Sequence, residues 1–179
     1  YRNEETGNRH KCGGWFSPWD NTLHGDTFAM AGRDRLMIWT ELPLEGNLPE
    51  HDFVGGVGGV IFDELAGVAM DDNYFYVADK RANLVYVWAG IPDGTHEPVA
   101  TLPVSLPTRL STDGTWLAVN STMSHGAQLY RVDQITSSGA SSTVGGAGTF
   151  NLPEGTTVDG GHLFVADTGN SQVLVWQDV

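Results

Sequence analysis

Three stretches of this 179-residue chain superpose without a gap once their tryptophans are aligned. They are Thr27 to Trp39 (TFAMAGRDRLMIW), Tyr76 to Trp88 (YVADKRANLVYVW) and Phe164 to Trp176 (FVADTGNSQVLVW). A fourth, Leu117 to Val132 (LAVNSTMSHGAQLYRV), follows the same pattern with about three extra residues in its middle. Each reads as a short apolar strand, a polar turn and a second strand ending in a large apolar residue, which is a hairpin by period and turn chemistry. A further strand precedes three of the hairpins, at Glu64 to Asp71, Leu106 to Asp113 and Leu152 to Asp159. The closing Asp, with Asn73, Gly114 or Gly160 just behind it, is a turn signal. Another strand follows the hairpins at Asp52 to Val54, Val99 to Leu102 and Ser142 to Val144.

Trp39 and Trp88 stand 49 residues apart, Trp88 and Val132 stand 44 apart, and Val132 and Trp176 again 44. Four antiparallel strands recurring at such an interval imply an all-β chain built as a β-propeller. No segment of helical length carries the i, i+3, i+4, i+7 pattern. The expected organisation is one domain over 1–179, with blades at roughly 15–57, 64–103, 106–146 and 152–179. The last blade stops after its third strand. His10-Lys11-Cys12-Gly13-Gly14 is similar to Ser142-Thr143-Val144-Gly145-Gly146, so residues 9–12 are expected to complete that blade and close the ring. If the ring is not closed within one chain, the exposed edges favour a homo-oligomer, or the chain is an arc of a larger propeller.

The run from Leu152 to Asn170 (LPEGTTVDGGHLFVADTGN) resembles an NHL repeat, with its Pro-x-Gly start, Asp-Gly turn and Val-Ala-Asp-Thr-Gly-Asn centre. Leu65 to Trp88 also resembles it well. The likeness weakens over Leu106 to Val132, where Asn120 replaces the central Asp, and most over Pro18 to Trp39, where Met30 does. The family usually places Arg after the Gly-Asn pair, whereas this chain has Gln172, Leu84 or Arg35. WD-repeat blades fit less well, because Trp39, Trp88 and Trp176 are followed by Thr40, Ala89 and Gln177.

Nine Lys plus Arg against 22 Asp plus Glu give a net charge of −13, which disfavours nucleic acid and anionic membrane as partners. The single Cys12 excludes an internal disulfide framework and any multi-cysteine zinc site. Six His residues show neither an H-x-x-x-H pair nor an H-E-x-x-H motif, and no G-x-S-x-G elbow occurs. Gly55-Gly56-Val57-Gly58-Gly59 lacks the Lys-Ser/Thr ending of a phosphate loop and reads as an inter-blade connection. No metal or cofactor is implied by these motifs. Asp79, Asn120 and Asp167 are expected to be structural, accepting backbone N–H bonds within their turns.

Loops joining second and third strands share one face of a propeller with the inter-blade connections, around the channel. There the sequence offers Arg33, Asp34, Lys80, Arg81, Asn83, Ser124, His125 and Asn170 as ligand-binding candidates, with Glu64 and Glu154 nearby. The expected function is a non-catalytic recognition or scaffold module for a protein, peptide or glycan. The runner-up is a metal-dependent propeller lyase or hydrolase, or a fragment of one, by analogy with enzymes on related folds.

Overall fold

The computed structural model describes residues 17–42, 48–137, 142–146 and 148–179. The fourth strand expected at residues 9–12 lies outside the described residues. The first sheet holds β1 (Asp20–His24), β2 (Thr27–Gly32), β3 (Arg35–Trp39) and β4 (His51–Val54) in that order. A small hairpin, β5 (Gly56–Val57) with β6 (Val60–Ile61), follows in the connection to the next blade. The second sheet is β7 (Leu65–Met70), β8 (Tyr74–Asp79), β9 (Leu84–Ala89) and β10 (Ala100–Pro103). The third is β11 (Leu110–Thr112), β12 (Trp116–Ser121), β13 (Gly126–Arg131) and β14 (Ser142–Gly145). The fourth has β15 (Pro153–Asp159), β16 (His162–Asp167) and β17 (Gln172–Gln177), three strands among the described residues. Every pairing is antiparallel, and no α-helix occurs among the described residues. The molecule is an all-β propeller of four blades.

The interior explains why several strands read as continuously apolar rather than alternating. A blade wedged between two others buries both faces. Phe75, Val77, Tyr86 and Trp88 pack against Ala29, Ala31, Leu36 and Ile38 of the first blade. Tyr76, Ala78, Val85 and Val87, which point the opposite way on the same two strands, pack against Leu117, Val119 and Tyr130 of the third. Ala118, Ala127 and Leu129 then meet Val158, Leu163 and Val165 of the fourth. Burying each large apolar side chain contributes about 1.5–3 kcal/mol. Strand β7 is buried at all six positions.

Register corrects the sequence alignment in two blades. Phe75 pairs with Trp88, Phe28 with Trp39, Leu163 with Trp176 and Leu117 with Tyr130. Tyr130, not Val132, therefore stands where the other blades have tryptophan. The third hairpin has no insertion: Ser121 to Gly126 encloses a four-residue turn, as Asp79 to Leu84 and Asp167 to Gln172 do. The exceptional turn is in the first blade, where Gly32 pairs with Arg35 and only two residues intervene. Consequently Gly32, rather than Met30, matches Asp79. A Cβ on Gly32 would run into the Ser17 carbonyl, so the incoming chain lies where other blades carry a polar side chain.

Candidate functional site

The first strand of each blade lines the axis, and register places one residue per blade at each level. At the entrance these are Trp19, Ala66, Thr108 and Glu154. Ala66 and Glu154 sit at irregularities where pairing skips from Leu65 to Gly67 and from Pro153 to Gly155. Trp19 and Thr108 donate their N–H groups to Ala31 and Asn120 at 2.9 and 2.8 Å. A bulge of this kind turns an extra residue out of the ladder, here toward the axis. These four, with Arg109 and Thr122, line a cavity of about 280 Å³. A second cavity of about 280 Å³ adjoins it between the first two blades, lined by Ser17, Trp19, Arg33, Asp63, Glu64 and Arg81. Trp19 belongs to both and is 40% exposed.

One level deeper the equivalent residues are Asp20, Gly67, Arg109 and Gly155. Arg109 crosses toward the opposite blade, its Nη1 donating to the Trp19 carbonyl and, at 3.2 Å, to the Ala66 carbonyl. The same nitrogen lies 3.6 Å from Asp20 Oδ1. Asp20 Oδ2 accepts the Val68 N–H at 3.1 Å, tying the first inner strand to the second. Ser111 Oγ does the same for Val158 N–H between the third and fourth blades, also at 3.1 Å. Burial pushes the Asp20 carboxyl up to about 6, even though the Val68 bond and the Arg109 charge both act to lower it. Gly67 is where the next blade comes closest, since a Cβ there would meet the Thr108 carbonyl.

The candidates read from sequence fall into two groups. Arg33 and Arg81 border the second cavity, and Arg33 has no ion pair among the described residues. Arg81 Nε reaches Glu64 Oε2 at 2.7 Å, Lys80 Nζ reaches Glu64 Oε1 at 3.2 Å, and the Lys80 ammonium also stands 5.2 Å from the centre of the Trp19 ring. The rest serve turns or stand apart. Asn83 Oδ1 accepts the Leu106 N–H at 2.9 Å, fixing the next blade's entry. Asn170 donates to Asp167 Oδ2 at 2.7 Å. The Ser124 N–H is 3.4 Å from Ser121 Oγ, Asp34 offers its carbonyl to Gly55 at 2.6 Å, and the buried His125 Nδ1 has no hydrogen-bond partner among the described residues.

Asp79 accepts from Asp63 N at 2.8 Å, Glu64 N at 3.0 Å and Ala82 N at 3.1 Å. Asp167 accepts from Asn151 N, Asn170 Nδ2 and Gln172 Nε2 at 2.7, 2.7 and 2.9 Å. Burial works to raise the Asp167 pKa, but these donors, with His125 nearby, hold it below the ordinary carboxylate value. In the third blade the equivalent is Ser121, which donates to the Ser105 carbonyl and accepts from Ser124 N. Asn120 stands one position earlier, opposite Ala127, and donates to the Pro153 carbonyl at 2.9 Å. It links the third blade to the fourth rather than closing its own turn.

Thr108, Arg109 and Thr122 are channel residues that the sequence did not single out, whereas Trp19, which the sequence offers as filling between blades or as lining for a mouth, stands with them at the channel. Their signal was the aligned segments ELAGVAMD, LPTRLSTD and LPEGTTVD, in which the third residue differs in every repeat. Among the described residues no three His, Cys, Asp or Glu side chains come together as a metal site, and no helix is long and apolar enough to cross a membrane.

The NHL repeat family matches residues 150–176, the span of the fourth blade. No curated protein matches the chain. Among solved structures, the computationally designed Ika4 protein is similar at a TM-score of 0.64 and 14% identity, covering 94% of this chain and 95% of that one. A chain of a nidogen/laminin complex is similar at 0.65 and 19%, covering 90% of this chain and 60% of that chain. A functionally unknown protein from Desulfotomaculum acetoxidans gives 0.66 and 16%, covering 92% and 52%. This chain thus spans little more than half the length of the last two, and likenesses at such identity carry the fold alone. With four blades about one axis, the chain is a four-bladed β-propeller whose fourth blade matches an NHL repeat.

Proposed function

We propose that the chain is a recognition module that binds a protein, peptide or glycan at the loop-face mouth of its channel. The observation that carries this reading is the contrast between two sets of equivalent positions. Fold-bearing positions repeat chemically: Trp39, Trp88 and Trp176 are alike, and so are Asp79 and Asp167. The entrance positions do not. Trp19, Ala66, Thr108 and Glu154 are aromatic, small, hydroxylic and acidic around one cavity. Packing four similar wedges needs no such variety, whereas an asymmetric ligand does. Trp19 supplies a half-exposed ring beside the hydroxyls of Thr108 and Thr122. Exposed aromatics of this kind are typical anchors for peptides and sugars. Glu154 is exposed and has no ion pair among the described residues.

Peptide and glycan arrays probed with the wild-type chain, Trp19→Ala and Glu154→Ala test the reading. Species held by wild type are expected to lose at least about tenfold in affinity with Trp19→Ala, by the usual size of an aromatic anchor. Binding that survives both substitutions unchanged, or arrays that yield nothing, contradicts the proposal.

A further inference from the structure

The basic side chains of this acidic molecule gather at one end of the channel. Six Lys and Arg lie among the described residues, and four of them, Arg33, Lys80, Arg81 and Arg109, stand at the loop-face mouth. The other two are taken up elsewhere, Arg35 by Asp52 and Arg131 by Asp133. At the opposite end, the turns joining first and second strands carry Asp26, Asp71, Asp72, Asp113 and Asp159 and no Lys or Arg. Charge divided in this way draws an anion toward the loop face rather than the far end.

We infer that the second cavity takes the carboxylate of a peptide, with a neighbouring apolar side chain lodged against Trp19 in the first. This rests on the recognition reading above and names its ligand. Glu64, whose N–H is held by Asp79 Oδ1 at 3.0 Å, serves Lys80 and Arg81 together, so one carboxylate answers two cations. Arg33 borders the same cavity with no ion pair among the described residues. Its backbone is fixed to the second blade, the Arg33 N–H donating to the Leu65 carbonyl at 3.1 Å and the Leu65 N–H donating back at 2.5 Å. Three cations thus face Asp63 and Glu64, which leaves one positive charge unanswered at this cavity. A planar guanidinium suits a carboxylate, which it can hold through two parallel N–H bonds.

The first cavity calls for something else. The Thr108 and Thr122 hydroxyls donate to the Asn120 and Pro153 carbonyls at 3.2 and 2.8 Å, and both accept from Asn120 Nδ2, at 3.0 and 3.4 Å. Arg109 is bound to the Trp19 and Ala66 carbonyls. These polar groups are spent inside the protein, so the cavity offers a sugar few hydroxyl partners but offers an apolar side chain Trp19, Ala66 and the threonine methyls. Glu154 repels an anion there, which sends the carboxylate to the arginines. Trp19 lines both cavities, and the Lys80 ammonium 5.2 Å from its ring centre orders the wall between them.

The test sets the intact chain against arrays of short peptides in which Asp, Glu or a free C-terminal carboxylate stands beside an apolar residue. Each is printed with its Asn, Gln or amidated counterpart, alongside neutral and carboxylated glycans. Peptides held by wild type are expected to weaken at least about tenfold on exchange of acid for amide, the size of a hydrogen bond to a charged group. Which exchange acts, at a side chain or at the chain end, identifies the source of the carboxylate. Arg33→Gln is expected to hold acid and amide forms alike. Its backbone bonds to Leu65 survive the change, so the variant keeps the fold. Peptides bound equally as acid and amide, glycans bound in preference, or a tenfold preference persisting in Arg33→Gln overturn the inference and leave the mouth a binding site. Arrays that hold nothing remove the recognition reading and this inference together.

Discussion

At the scale of single residues, Asp20 and Asp79 show two uses of a buried carboxylate. Asp20 reaches about 6 from an unfolded value of 3.8, chiefly through burial. The folded chain thus holds its proton to higher pH than the unfolded chain does. The stabilisation from protonated Asp20 is complete below the unfolded pKa and is lost as pH rises through the folded one. Two pH units set an upper limit of roughly 3 kcal/mol. Paired thermal melts of wild type and Asp20→Asn between about pH 4 and pH 7 should show wild type losing ground as pH rises; a constant gap would refute the assignment. Asp79 instead accepts three backbone N–H groups and holds the entry of its blade. Asp79→Ala is expected to cost about 2–4 kcal/mol in urea titration, because buried donors are left unpaired. Ser121→Ala, which removes a neutral hydroxyl from the equivalent place, should cost only about 1 kcal/mol.

Among the elements, hairpins were legible in the sequence and their internal alignment was less so. Trp39, Trp88 and Trp176 marked three blades because each is the large apolar residue at or next to the end of its blade's third strand. The third blade replaces that tryptophan with Tyr130, and without the marker the sequence aligns Val132 in its place at the cost of an apparent insertion. Asn120, a polar residue one position before the true equivalent, reinforced the shift. The channel residues were hidden for a different reason. A bulge at Ala66 or Glu154 reverses the alternation of facing, so period two cannot show which side chain meets the axis. The four-residue turns end on Asn83, His125 and Ser171, all with φ between 54° and 58°. Asn tolerates that region better than Ser. Ser171→Gly should therefore raise stability by roughly 0.5–1 kcal/mol, read from the urea midpoint; a loss would mean that the side chain, not the backbone, sets this turn.

For the whole molecule, the −13 charge and the blade count were both available from the sequence, and the blades stack as three interlocking apolar layers. What the repeats could not convey is how tightly the axis closes, with Arg109 of the third blade reaching Trp19 and Asp20 of the first. That geometry requires four wedges of one chain around a single narrow channel. Light scattering coupled to small-angle X-ray scattering tests it most directly. The account predicts one species of 19.3 kDa with a radius of gyration near 16 Å, as a compact chain of this length has. A mass at a multiple of that value, or a single chain with a radius well above 20 Å as in an open arc, would contradict it.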